Sequence, residues 1–313
     1  MDRPTLADLR RGLDDRLADS LGGRFGKLEI SLLSQAGSVP DGTTVLLLRD
    51  AKGRSRAVVL CAAPASPELV QRAVHHARQA KMILGPSLGA HIPDPLMEGS
   101  LQGLSYAVMP YCNSLSNFRP VWWMQRALLR PSILEWLRSA TECTVRDVEP
   151  VDIERSFAEP LREVASFKLP NSRIRAAADR ARERLYSGEW SPKYVLMHAD
   201  FWKGNILIRP ASSASERKQW RDRFIIIDWP GSEIHGYAIF DLIRMSQSMR
   251  LNTRSLRREI AGHCQLLKCK GTDSMSYLLA ALGHIAMNLE HFPVDAYARM
   301  AESCFATLEE ILE

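Results

Sequence analysis

Apolar positions recur every three to four residues among alternating arginines and aspartates at the start of the chain. This pattern predicts an amphipathic helix from Thr5 to Leu21, closed by Gly22 and Gly23. Three apolar runs follow, Lys27–Ser34, Thr43–Arg49 and Arg56–Ala62, and they read as strands because Ala36–Gly42 and Ala51–Gly53 separate them with turn residues. Ser66, Pro67 and Glu68 offer an N-cap hydroxyl, a proline and an acid in the order that opens a helix, which Gly85 is expected to close. Short strands at Pro95–Met97 and Ser105–Met109 complete a small sheet with one helix. From Trp122 the period becomes helical, over Trp122–Ala140, Ser172–Tyr186, Asp241–Met249, Leu256–Lys268, Met275–Leu289 and Val294–Leu312. Two β-like interruptions remain, Tyr194–Met197 with Ile206–Ile208, and Phe224–Ile227, separated by a polar stretch at Arg209–Arg223 that reads as a solvated loop. The expected class is α+β, with a small β-rich N-lobe at 1–111 and a larger, mainly helical C-lobe at 112–313.

Composition leaves this picture intact. With 46% apolar and 25% charged residues over 313 positions, the chain can bury a large core and has no signature of extensive disorder. The first 17 residues interleave acids and arginines, and no apolar run approaches the roughly 20 residues that span a bilayer, so the expected location is the cytoplasm, with no membrane partner. Six scattered cysteines without a Cys-x-x-Cys pair read as reduced thiols. Cys264 and Cys269 are five residues apart on a helical pattern, a spacing that should keep their thiols on different faces and argues against a metal site there. The net charge of +5 is not gathered into a basic run with interleaved aromatics, so nucleic acid is not an expected partner. The exception to that balance is the C-terminal end, where residues 271–313 carry seven acids and one base. If those acids face the site, they favour a cationic acceptor.

The chemistry is concentrated in Val195–Ile208, which contains His198, Asp200 and Asn205, and in Phe224–Trp229, which contains Asp228. An apolar strand, a polar loop and further strands ending in a carboxylate form a site-building pattern, because strands fix the backbone while loop and strand ends aim polar groups. Phosphoryl transfer needs one carboxylate to orient a hydroxyl and oxygen ligands for magnesium, and Asp200, Asn205 and Asp228 supply that set.

The series His198-x-Asp200-x4-Asn205, then Ile227-Asp228-Trp229, then Gly236–Leu242 with Asp241, resembles the aminoglycoside phosphotransferase and choline kinase superfamily, most closely over residues 194–245. The resemblance implies a two-lobed protein-kinase-like fold that uses ATP and Mg to phosphorylate a small-molecule acceptor. It makes Asp200 the catalytic base, His198 a support for its loop, Asn205 and Asp228 the magnesium ligands, and Asp241 the brace of the catalytic loop. Ala199 replaces the usual glycine, a change that is tolerated if the backbone there has negative φ. The strand Ser105–Met109 would lead into a hinge where Met109, Pro110 and Cys112 meet adenine. Pro110 lacks an N–H, but the hinge needs only a carbonyl there and a donor at Cys112.

Two features depart from the family pattern. Strand Arg56–Ala63 has no lysine for the phosphates, and the following helix has no mid-helix acid to pair with one, which leaves Arg56, Arg49 and Lys27 as unranked substitutes. The loop Ala36–Gly42 has two glycines and a proline, a loose version of a phosphate cradle. The resemblance therefore supports two readings: a small-molecule kinase, or a regulatory or scaffold pseudokinase of the same fold.

Overall fold

A computed structural model describes residues 6–34, 42–167, 172–211, 220–290 and 292–313. The expected cradle over 36–41 and the middle of the polar loop, 212–219, lie outside the described residues. The chain divides into two compact units, one of Met1–Gln79, Ala90–Leu115 and Ile206–Pro230, the other of Ala80–Gly89, Ser116–Asn205 and Gly231–Glu313.

In the first unit, helix α1 (Leu6–Phe25) is followed by strands β1 (Leu28–Ser34), β2 (Thr44–Asp50) and β3 (Ser55–Cys61), the first half of helix α2 (Leu69–Gly89), whose residues from Ala80 belong to the second unit, and strands β4 (Met97–Leu101) and β5 (Leu104–Pro110). The strands form one antiparallel sheet in the order β1-β2-β3-β5-β4. Alternation along the strands gives the sheet two apolar faces. One places Leu46, Leu48, Ala57, Val59 and Val108 in a core with Leu13, Leu17 and Leu21 of α1. Each fully buried aliphatic side chain there contributes about 1.5–3 kcal/mol, which is what holds α1 on the sheet. The other gathers Leu60, Ala62, Ala107 and Met109 against Leu69, Val70 and Val74 of α2. Three short strands, β6 (Asn113–Ser114), β9 (Ile206–Ile208) and β10 (Phe224–Ile226), form a second sheet in the order β10-β9-β6.

Three helix boundaries differ from expectation, and β4 begins where its strand was expected to end. Helix α1 runs through Gly22 and Gly23 and ends at Gly26, whose φ is +70° and whose N–H reaches the Gly22 carbonyl at 2.8 Å. Helix α2 starts at Leu69 rather than Pro67. The Pro67 carbonyl is already committed to β5, accepting the Ser105 N–H at 2.8 Å and the Ser105 hydroxyl at 2.6 Å. Gly85, at φ +72°, breaks α2 as expected of a terminator, but Pro86 restarts the helical path as far as Gly89.

In the second unit, helix α3 (Arg119–Thr144) runs four residues past its expected end because Thr141 and Thr144 are buried. The Thr144 hydroxyl donates to the Ala140 carbonyl at 2.6 Å and accepts the Leu196 N–H at 3.0 Å, so the helix end and a central strand fix one another. That strand, β8 (Lys193–Met197), lies between β7 (Arg146–Asp147) and β11 (Glu233–Gly236). Around them pack α4 (Glu159–Ser166), α5 (Ser172–Tyr186), α6 (Phe240–Ser248), α7 (Thr253–Leu267), α8 (Asp273–Met287) and α9 (Val294–Leu312). No helix among the described residues is long and apolar enough to cross a membrane.

The cysteine spacing argument fails in this unit. Helix α7 ends at Leu267, and Lys268 turns left-handed at φ 54°, ψ 44°. The Cys269 N–H bonds the Cys264 carbonyl at 2.9 Å and the Lys268 N–H the Gln265 carbonyl at 3.2 Å. This helix-ending motif folds residue 269 back, and the two thiols are near enough to shift one another, with the pKa of Cys264 lowered and that of Cys269 raised. The described residues nonetheless contain no group of three or more His, Cys, Asp or Glu side chains placed to hold a metal.

Candidate active site

Strand β8 delivers the chain to His198, Ala199 and Asp200 at its C-terminal end. Asp241, the second residue of α6, leaves its own helix end uncapped and turns its carboxylate to this loop, accepting the His198 N–H at 2.6 Å and the Ala199 N–H at 3.1 Å. Burial pushes the Asp241 carboxyl up to about 7, and the charge of Asp200 adds to the rise. The two amide donors and Arg244 pull the other way. His198 is buried, its Nδ1 accepts the Asp200 N–H at 3.3 Å, and its ring meets Phe201 edge-on at 5.6 Å. Phe201 in turn stacks on Trp136 of α3, whose indole donates to the Leu88 carbonyl at 3.0 Å.

Ala199 has a φ of +69°, so the condition that would have made alanine harmless in place of glycine is not met. The two amides pinned to Asp241 impose this left-handed turn, which costs an L-residue roughly 1–2 kcal/mol. Ile239, two residues before Asp241, is also left-handed at +77°. For a β-branched residue this is a rare conformation. Both ends of the Asp241 brace are therefore strained, a state that persists only where surrounding structure enforces it.

After Asp200 the chain makes one tight turn. The Trp202 N–H returns to the Asp200 carbonyl at 3.1 Å, the Asn205 N–H to the Trp202 carbonyl at 3.0 Å, and the Lys203 N–H to the Ser248 hydroxyl at 3.1 Å. Gly204 lets the Trp202 ring lie against the backbone, since a Cβ would be 2.4 Å from it and would push the exposed indole aside. Asn205 is buried, and its Nδ2 donates to both the Asp200 carbonyl (2.9 Å) and the Asp200 Oδ2 (2.8 Å). With its nitrogen committed, the side chain presents its amide oxygen as the end suited to a hard cation. His198, Asp200, Asn205 and Asp241 thus form one connected constellation in the second unit, together with Arg244, which the sequence reading missed.

The other expected residues belong to the first unit. Asp228 is exposed just beyond β10, with a φ of +70° that aspartate tolerates better than most residues. The buried Trp229 beside it donates its indole N–H to the Ile226 carbonyl at 3.1 Å. His91 holds the same strand: its ring stacks on Phe224 at 3.9 Å, its Nδ1 meets the Phe224 carbonyl at 2.9 Å, and its own carbonyl accepts the Ile226 N–H at 2.8 Å. Burial lowers its affinity for a proton. No local pattern marks His91, which lies over a hundred residues from its partners.

Met109 and Pro110 are the last residues of β5, opposite Val58 and Ala57, and the Tyr111 N–H still reaches the Arg56 carbonyl at 3.1 Å. Cys112 follows half-buried, and burial pushes its thiol up. Beside Met109 the α2-facing side of β3 carries Leu60, packed against Leu69, Val70 and Val74. Aliphatic packing therefore stands between β3 and α2, where the resembled family has an ion pair. Of the arginines considered as substitutes, Arg56 is bound to Asp50, with Nε at 2.8 Å and Nη2 at 2.7 Å, while Arg49 Nη1 meets the Ser31 hydroxyl at 3.4 Å. Burial opposes ionisation of Asp50, but the Arg54 and Lys52 amides and the Arg54 and Arg56 guanidiniums outweigh it and hold the carboxyl well below the usual range. Lys27 is exposed.

Three of the seven C-terminal acids have partners on neighbouring helices. Asp273 pairs with Arg184, Glu309 with Arg173 at 3.0 Å, and Glu310 accepts from Thr253 at 3.2 Å. A groove of about 670 Å³ between α3 and α7, lined by Arg130, Arg138, Arg258 and Glu259, holds none of the expected residues.

No protein-family model matches the sequence, and no curated protein sequence matches it. Solved structures do match. A thermostable mutant of the aminoglycoside phosphotransferase APH(4)-Ia, in a ternary complex with AMP-PNP and hygromycin B, superposes with a TM-score of 0.54 at 15% identity, covering 94% of this chain and 97% of that one. Its apo form gives 0.52 at 16% identity, over 93% and 98%. The choline kinase LicA from Streptococcus pneumoniae gives 0.51 at 13% identity, over 96% and 99%. A small antiparallel-sheet lobe, a larger helical lobe and this likeness together mean that the chain has the two-lobed protein-kinase-like fold.

Proposed function

We propose that this chain is an ATP-dependent phosphotransferase that moves the γ-phosphoryl group to a hydroxyl of a small molecule. The observation that carries the reading is the Asp200 constellation. A carboxylate at a strand end has its backbone pinned through Asp241 and its Oδ2 fixed by the Asn205 amide, so it is held in one orientation. A general base must meet its proton within hydrogen-bond reach, and preorganisation of this kind is what that task requires. In the proposed roles Asp200 takes the proton of the attacking hydroxyl, and His198 supports its loop. Asn205 and Asp228 would offer oxygen to magnesium, which needs few protein ligands. Bound magnesium would neutralise phosphate charge. The backbone at Met109, Pro110 and Cys112 would meet the adenine of ATP. That phosphotransferases and kinases share the fold supports the class of chemistry, while the acceptor remains to be identified by assay.

One observation favours a second reading, a pseudokinase acting as regulator or scaffold: β3 and α2 meet through aliphatic side chains, and β3 has no lysine. Two measurements separate the readings. ATP γ-phosphate consumption is assayed with magnesium across sugars, amino alcohols, aminoglycosides and lipid head groups, and magnesium-dependent AMP-PNP binding is followed by calorimetry in wild type and Asp228→Ala. The enzyme reading predicts turnover with at least one acceptor and nucleotide binding that disappears in the variant. A folded protein showing neither would leave the pseudokinase.

A further inference from the structure

Arg244 lies on α6 three residues after Asp241, so the two side chains leave the same face of the helix. Asp241 takes the backbone of the catalytic loop. Arg244 faces its side chain, with Nη2 3.7 Å from Asp200 Oδ1, the oxygen that Asn205 does not hold. That separation is a charge contact rather than a hydrogen bond. The Arg244 Nε is buried without a hydrogen-bond partner among the described residues, and the side chain as a whole is only 24% exposed. A buried donor left unsatisfied carries an energetic cost and calls for an explanation. Packing alone offers none, because an apolar side chain would fill the same space without that cost. The position of the guanidinium tip at the free oxygen of Asp200 does offer one.

We propose that Arg244 is a positioning residue for Asp200: together with Asn205 it brackets the carboxylate, one partner at each oxygen. The inference rests on the phosphotransferase reading, since it assigns Arg244 a task only if Asp200 receives a proton. Because Arg244 acts through Asp200, its removal can cost no more than Asp200 itself contributes, about 10²–10⁴-fold for a general base.

The test is a double-mutant cycle on turnover, using ATP, magnesium and whichever acceptor of the panel turns over fastest. Arg244→Ala is expected to lower kcat at least about tenfold, while the KM for ATP stays within about twofold and the Tm within a few degrees. In an Asp200→Asn background the same change is expected to cost nothing further, and Arg244→Lys is expected to recover part of the loss, because a lysine restores charge without the planar fork. A purely structural role would lower Tm and act equally in both backgrounds. If wild type turns over and Arg244→Ala matches it, or loses the same factor with Asp200→Asn present, the inference is overturned and the enzyme reading stands. If wild type transfers phosphate to no acceptor, both are overturned.

Discussion

At Ala199 the backbone is left-handed and the side chain a single methyl, so the strain there should be removable without touching the chemistry. Ala199→Gly is expected to raise stability by about 0.5–1 kcal/mol, less than the full left-handed penalty because glycine also gains freedom in the unfolded chain. Chemical denaturation would measure it, and a loss of stability would mean that the turn is not strained. Asp241 carries a pH signature. Its carboxyl lies near 7 in the folded protein against an ordinary 3.8, so between those values the folded state keeps a proton that the unfolded chain has released. The stability this provides is fully present below about pH 4 and is lost as the pH rises through 7. In magnesium-free buffer, wild type should therefore lose stability relative to Asp241→Asn across that window. A pH-independent difference between the two would show that Asp241 is not the titrating group. Neither property was legible in the sequence. Alanine for glycine was visible at position 199, but the sign of φ is set by Asp241, more than forty residues away.

At the scale of elements, the strands and most helices could be read from periodicity, and they were lost where local signals met tertiary demands. The Ser66–Glu68 signal was real, yet β5 captured the Pro67 carbonyl and displaced the helix start. Helix α4 was not anticipated because Pro160 sits inside it, near its first turn, where proline is permitted but reads as a breaker. Its place in the fold is fixed by Gly283 of α8: a Cβ there would lie 1.8 Å from the Pro160 carbonyl oxygen. Backbone cannot yield as a flexible side chain can, so Gly283→Ala should force the two helices apart at a cost of about 1–3 kcal/mol or more. A thermal melt unchanged by that substitution would refute the close approach of α4 and α8. The Asp200 loop was legible as a motif because its residues are contiguous. Arg244 and His91 were not, since each acquires meaning only from a partner that folding brings to it.

For the whole molecule, the order of a small sheet followed by a helical body was legible, and the solved structures of this fold agree with it at identities too low for sequence comparison to register. The acceptor was not legible in net charge: the acids at 273, 309 and 310 are tied to neighbouring helices, while the charge beside Asp200 is the guanidinium of Arg244. The central claim is that Asp200 serves as the base in phosphoryl transfer from ATP. The most direct measurement compares wild type with Asp200→Asn at saturating ATP, magnesium and acceptor, following phosphorylated product. The account predicts a fall in kcat of about 10²–10⁴-fold with nucleotide affinity and Tm nearly unchanged, because an oriented base acts mainly in the transition state. Product formation by Asp200→Asn at the wild-type rate would contradict it.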